Sequence, residues 1–233
     1  MTPDLFDDAP QTNVANKATR AATYDATNEA TNKAIVPGAV LLRGIAANRA
    51  GSLLTVFDAI TAQAPLRHLV TPGGHTMSVG MSNCGALGWV SDVNGYRYSP
   101  CDPTCSKPWP PIPVDWLALA AKAAAQAGYA KFHPDACLIN CYAPGAKMGL
   151  HQDRDEHDFA QPIVSVSLGL PAVFLFGGLK RSDKARRLQL IDGDVVVWGG
   201  PARLAFHGVA PLPEGSHSVW GRRRVNLTFR CAG

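Results

Sequence analysis

The chain has 233 residues (24.7 kDa), of which 46% are hydrophobic, 17% charged and 8% aromatic, with a formal net charge of +4. No apolar run reaches the roughly 20 residues of a membrane-spanning helix, and the acidic stretch from Met1 to Pro10 lacks the basic and apolar segments of a secretory signal, so the cytoplasm is the expected compartment. Six cysteines, at Cys84, Cys101, Cys105, Cys137, Cys141 and Cys231, are too sparse and irregular for a disulfide scaffold and are expected as free thiols.

Residues 11 to 34 are almost entirely Ala, Thr, Asn and charged residues. They offer no apolar face to offset the entropy of ordering, so residues 1–36 are expected as a disordered, low-complexity tail and 37–233 as a single domain. Gly38 to Gly44 reads as a short strand. Ser52 to Ala62 reads as a helix, with Ser52 as N-cap and Leu53, Leu54, Phe57 and Ile60 on one side. Thr71 to Pro113 mixes Gly, Asn, Ser and Pro with Trp89, Tyr96, Tyr98 and Trp109, the profile of a lid or binding surface in irregular conformation. Asp115 to Ala127 is a second helix, ended by Gly128. Short apolar or alternating runs follow at 136–142, 163–168, 172–176, 187–191, 194–198, 203–207 and 224–231, set off by Gly, Pro and Asp. The series predicts a mainly β fold, a sandwich or jelly-roll barrel with two supporting α-helices, its core near 136–233 and its lid near 71–113. From Lys180 to Arg230 there are ten Lys/Arg against four acids, so a polyanion would be drawn to this quarter; a solvated basic face fits the same count.

His151 and Asp153 are two residues apart, which on a strand sets both on one face, and His207 closes another apolar run fifty-six residues later. Two imidazoles and one carboxylate from neighbouring strands form a facial triad with open positions, the arrangement suited to non-haem Fe(II) and oxygen. A rival pair, His133 and Asp135, is interrupted by Pro134, which disrupts strand pairing. In the final run, Arg224, Asn226, Thr228 and Arg230 alternate with Val225, Leu227, Phe229 and Cys231, giving one polar and one apolar face. Inside a two-layer barrel, two guanidiniums call for an anion with several oxygens. Asn140 and Tyr142 add hydrogen-bonding groups on a second strand. Together these could hold a small dicarboxylate beside the metal, and 2-oxoglutarate is one that chelates Fe(II).

The stretch Cys137 to Glu156, with Ser165 to Pro171, Phe176 to Lys180, Asp192 to Gly200 and Arg224 to Arg230, resembles the bacterial AlkB alkylation-repair dioxygenases. Met77 to Trp89, Gly95 to Pro100 and Lys107 to Pro110 extend the likeness over most of 37–233. The resemblance implies a double-stranded β-helix (jelly-roll) core with an N-terminal nucleotide-recognition lid. It places His151, Asp153 and His207 on the iron ligands and Asn140, Tyr142, Arg224, Asn226 and Arg230 on the 2-oxoglutarate contacts. Trp89 falls on the aromatic that stacks on the damaged base and Asp155 on the acid that reads the amino edge. Tyr96, Lys147 and Arg181 fall near the substrate strand. A cationic, flipped base favours both an aromatic face and a carboxylate.

The implied activity is oxidative demethylation of 1-methyladenine or 3-methylcytosine with Fe(II), O2 and 2-oxoglutarate, releasing formaldehyde, succinate and CO2. Single-stranded DNA is the favoured partner, double-stranded DNA and RNA are further candidates, and the protein is expected as a monomer. The alternatives are a dioxygenase acting on a protein side chain and a non-catalytic lesion binder or iron and oxygen sensor. Cys141 and Gly149 depart from the enterobacterial pattern of Arg and Ser, and Gly149 would loosen the loop that carries Lys147. The x3 spacing of Cys101/Cys105 and Cys137/Cys141 argues against structural zinc.

Overall fold

The computed structural model describes residues 32–233. The chain begins with β1 (Lys33–Val36) and β2 (Ala39–Leu42), an antiparallel pair joined at Gly38. That glycine has φ +85°, and a Cβ on it would strike the carbonyl of Gly199. The fold therefore starts inside the segment assigned to the tail, because Ile35 finds a place in the core; the rest of that assignment, 1–31, lies outside the described residues. Helix α1 (Ala50–Gln63) buries Leu53, Phe57 and Ile60, the i, i+4, i+7 stripe of an amphipathic helix. Ser52 is not its cap: it lies in the first turn and its hydroxyl donates back to the Arg49 carbonyl at 3.0 Å.

Nearly half of the region expected to be irregular is strand. After β3 (Arg67–Val70), β4 (Thr76–Gly85) runs for ten residues, and β5 (Gly88–Asp92) and β6 (Gly95–Ser99) make a hairpin. Glycines at 80, 85, 88 and 95 suggested a loop, but Gly85 and Gly88 mark close backbone and ring approaches instead: a Cβ on Gly88 would collide with the Trp109 indole. Helix α2 (Val114–Gln126) buries Trp116, Leu119, Ala120, Ala123 and Ala124 and ends before Gly128, whose φ of +90° only glycine adopts readily.

The remaining strands are β7 (Ala136–Tyr142), β8 (Met148–His151), β9 (Ile163–Gly169), β10 (Ala172–Phe176), β11 (Arg186–Leu190), β12 (Val195–Trp198), β13 (His207–Val209) and β14 (Arg224–Arg230). The run expected at 203–207 is a loop, and the strand starts only at His207, since Arg203 leaves the 3-10 turn Gly200–Ala202 with helical torsions. β8 escaped notice because its four half-buried residues carry no alternation.

Among the described residues every pairing between these strands is antiparallel, with one isolated parallel bridge between Leu87 and Ala136. The larger sheet has the order β1-β2-β12-β9-β14-β7-β4-β3 and the smaller the order β11-β10-β13-β8, the two layers of a jelly roll. The central strands of the larger sheet are buried on both faces. Val195, Val197, Val225, Leu227 and Phe229 join α1 and α2 in one core, while Val196, Trp198, Leu138 and Tyr142 face Phe174, Phe176 and Leu190 of the smaller sheet in a second. Period-two alternation thus sorts each central strand into a helix-facing and an inter-sheet set. The inter-sheet space is where the polar face of β14 lies.

Candidate metal centre and cavity

His151 and His207 are directly paired across β8 and β13, with ring centroids 4.4 Å apart. After His151 the chain leaves the sheet. The loop, rather than strand alternation, brings the Asp153 carboxylate to both rings, Oδ1 lying 3.6 Å from Nε2 of His151 and Oδ2 3.6 Å from Nε2 of His207. The ligating atoms of all three residues fall within 4.8 Å of one another, and among the described residues this is the one such group of three. Each imidazole Nδ1 lies at hydrogen-bond distance from a backbone carbonyl, that of Gly149 at 2.9 Å for His151 and that of Ala205 at 3.0 Å for His207. A carbonyl only accepts, so Nδ1 carries the proton and donates, and in the neutral rings the Nε2 lone pairs are left facing Asp153.

Burial opposes charge on both buried ligands. It pushes His207 down to about 4, helped by the neighbouring His151, which keeps the ring neutral near pH 7. For Asp153 burial favours the acid, but Arg230 and then the two imidazoles outweigh it and hold the carboxyl well below its usual range. A neutral His207 and an anionic Asp153 are the forms in which these groups ligate a divalent ion.

Beside the triad runs a polar ladder across β9, β14 and β7. Arg224 faces Tyr142 and Asn226 faces Asn140 in the β14–β7 register, and all four side chains are buried. The Asn226 amide donates to Ser165 Oγ at 2.7 Å and accepts from Thr228 Oγ1 at 2.8 Å. Arg224 donates from Nε to Ser167 Oγ at 3.0 Å, and its guanidinium lies 5.0 Å over the Tyr142 ring. Its Nη1, like Oδ1 of Asn140, has no hydrogen-bond partner among the described residues. An orphaned buried guanidinium nitrogen is expensive, so the site has the chemistry of a receptor for an anion. The two arginines differ: Arg230 gives Nη2 and Nε to Asp153 Oδ2 at 2.6 and 3.1 Å, so its charge is met within the chain. The orphaned Arg224 nitrogen beside the three ligand atoms fits 2-oxoglutarate next to Fe(II).

These groups line one cavity of about 720 Å³, which also takes in Trp89, Tyr96, Asp155 and Arg181. Trp89 stacks on Tyr96 with centroids 5.5 Å apart and planes 12° apart, and its Nε1 donates to Asp155 Oδ2 at 2.8 Å. Two hydrogen bonds to the Asn83 amide group, from its backbone N and to its backbone O, fix Trp89 on β5. Arg181 lies over Phe206 at 5.4 Å on the opposite wall. Lys147 is the exception: it is exposed and outside the cavity lining, its backbone exchanging hydrogen bonds with Ser78 Oγ. The short loop between β7 and β8 turns that side chain to the surface.

Sequence reasoning missed Arg154, which lines the cavity between the two acids of the same motif, and Ser165 and Ser167, whose alternation along β9 was visible. It also missed Glu156, Arg203 and Tyr98, which lie behind the cavity wall. All three are distant in sequence from their partners, and no local pattern joins them.

Residues 38–230 match the model of the 2OG-Fe(II) oxygenase superfamily. The chain is 57% identical over 198 residues to the alpha-ketoglutarate-dependent dioxygenase AlkB of Salmonella typhimurium, covering 85% of this chain and 92% of that one. It is 35% identical over 133 residues to the mouse nucleic acid dioxygenase ALKBH1, covering 55% of this chain and 34% of that protein. The solved structure of OsALKBH1 superposes with a TM-score of 0.75 at 28% identity, over 86% of this chain and 99% of that one.

Proposed function

The chain belongs to the AlkB family of 2OG-Fe(II) oxygenases, and from that premise we propose that it removes N-methyl groups from 1-methyladenine and 3-methylcytosine in DNA, single strands before duplex DNA or RNA, as a monomer. It is an Fe(II)- and 2-oxoglutarate-dependent dioxygenase that consumes O2. When bound, Fe(II) with 2-oxoglutarate and O2 would supply the oxidising power to hydroxylate the N-methyl carbon, 2-oxoglutarate being converted to succinate and CO2 and the hydroxymethyl base then losing formaldehyde to leave the unmethylated base.

The chain's own part is placement. His151, Asp153 and His207 would hold the metal, with their Nε2 and carboxylate atoms preset by the Gly149 and Ala205 carbonyls and by Arg230. Arg224, with Asn140, Tyr142 and Asn226 around it, would take the distal carboxylate of 2-oxoglutarate. Trp89 offers a π face to a cationic base, and Asp155, beside it, an acceptor for the exocyclic amino group. Arg181 would steady the strand at the mouth. Single strands are favoured because extracting the base then costs less stacking energy. Among the described residues no helix is long and apolar enough to cross a membrane, and we place the enzyme in the cytoplasm.

The observation that carries the reading is the orphaned Arg224 nitrogen in the same cavity as three converging ligand atoms. The test is mass spectrometry of a single-stranded oligonucleotide bearing one 1-methyladenine, incubated with protein, Fe(II), 2-oxoglutarate and O2, beside a His151→Ala control. Loss of one methyl mass with the wild type alone is the expected result. Succinate without methyl loss would move the substrate to another class, and neither product would leave a binder or sensor.

A further inference from the structure

The loop after β8 carries four carboxylates, and the first three have three destinations. Asp153 lies between the imidazoles and Asp155 meets the Trp89 indole, whereas Glu156 turns inward and is only 5% exposed. Its Oε1 accepts from the Tyr98 hydroxyl at 2.7 Å and stands 3.4 Å from Arg230 Nε. Its Oε2 accepts from Arg203 Nη2 at 3.0 Å. Arg203, itself buried, spends its other donors on backbone: Nη1 on the Asp153 carbonyl at 2.8 Å and Nε on the Gln161 carbonyl at 3.0 Å. Arg230 Nη1 closes the circuit on the Tyr98 hydroxyl at 3.3 Å.

None of Glu156, Arg203 or Tyr98 lines the cavity. Yet the Asp153 carboxylate has its main partner, Arg230, held from behind by Glu156, and the Asp153 main chain is held by Arg203, which Glu156 also holds. Two guanidiniums against two carboxylates make a balanced, buried cluster. Such clusters add little net stability over apolar packing but fix geometry, and removing one partner strands a charge.

We propose that Glu156 is a positioning residue for Asp153, acting on its carboxylate through Arg230 and on its backbone through Arg203, with Tyr98 carrying the same network into strand β6 of the lid. Glu156 gives Arg230 a second anion, so the guanidinium is not drawn wholly onto Asp153 and that carboxylate stays available to a metal. The inference rests on the reading of Asp153 as a metal ligand.

The test uses the full chain and Mn(II), whose binding is followed by the loss of the free-ion paramagnetic resonance signal, together with 2-oxoglutarate affinity under anaerobic Fe(II). Glu156→Gln should weaken Mn(II) binding about tenfold or more, in line with changes behind other metal ligands, while binding of a methylated oligonucleotide to the metal-free protein stays within about twofold. Tyr98→Phe keeps every charge and should raise the 2-oxoglutarate dissociation constant about threefold, as Arg230 and Glu156 each lose one hydrogen-bond partner, with the oligonucleotide KM unchanged. A role confined to packing the lid predicts the reverse split for Tyr98→Phe, a raised oligonucleotide KM and an unaltered cosubstrate constant, and that result overturns the inference. So does a Glu156→Gln protein with a lower melting temperature but unchanged Mn(II) affinity. If Glu156→Gln does not fold, Tyr98→Phe decides. A wild type that binds Mn(II) without responding to 2-oxoglutarate refutes the dioxygenase reading instead, and the Mn(II) constants of the variants still decide the role of Glu156.

Discussion

The floor of the cavity and its lid are built on opposite terms. The floor lies on β7, β9 and β14, three adjacent strands in the middle of an eight-stranded sheet, and Asn140, Tyr142, Arg224, Asn226 and Thr228 are all at most 6% exposed. The β5–β6 hairpin pairs with itself, every residue of β6 is half-buried, and Val93 at its tip is 82% exposed. Two of its three aromatic rings, Trp89 and Tyr96, lean on one another, and a few side chains tie it down, among them Ser91 to the Val70 carbonyl and Trp109 to the Ser99 carbonyl. Bond-making atoms sit where several elements fix each torsion, and substrate selection sits where little packing opposes movement.

The comparison breaks most completely at the floor. Asp153→Ala should remove Mn(II) binding and reduce succinate formation by about a thousandfold or more, because two imidazoles alone leave an incomplete triad. Arg224→Ala should raise the KM for 2-oxoglutarate roughly 10- to 100-fold, the value of charge-assisted hydrogen bonds to a buried carboxylate, with little change in oligonucleotide affinity. At the lid the pattern inverts: Trp89→Ala should weaken the methylated oligonucleotide about tenfold, the contribution of one stacked base, and leave the 2-oxoglutarate constant alone. Steady-state kinetics with each substrate varied in turn distinguishes the two.

Acid sharpens the contrast with the smallest effect, because the two regions respond in different windows. His207 has a folded value of about 4, below its unfolded one, so the metal-free floor loses stability as pH falls from the ordinary histidine range toward 4. The lid base is held by Asp102, which Arg67 lowers to about 2. Its contribution is complete above the ordinary carboxylate value and disappears as pH falls from there to 2, on the order of 1 kcal/mol once solvent around Arg67 is allowed for. Hydrogen exchange at β5 and β6 should rise only in that lower window.

Much of the floor could be read directly from the chain, since alternation is a two-residue rule and β14 obeys it without interruption. Its polar and apolar faces, and their burial against a cavity and two helices, follow from Arg224 to Arg230 alone. The spacing of His151 and Asp153 was legible for a different reason than supposed, as a loop rather than a strand places the carboxylate. Glycine misled at 85 and 88, where close approach of neighbouring backbone and a ring, not looping, demands it, whereas Gly95, with φ +108° and nothing within 4 Å of a Cβ, does serve the hairpin turn. The Glu156 network was invisible because Tyr98, Arg203 and Arg230 come from three distant segments, and only the closed barrel brings them to one carboxylate.

The outer edge of the smaller sheet has a further consequence. Among the described residues β11 has no neighbour on one side, leaving a row of backbone donors and acceptors that a second copy of the chain could extend. Arg186, Arg187 and Gln189 stand exposed on it, with Lys184 just before. Two copies brought edge to edge would press guanidinium against guanidinium. The same charges that would draw a polyanion to this hairpin therefore keep the protein from polymerising through it, and replacing them with apolar residues would exchange a concentrated clear solution for fibrils or precipitate.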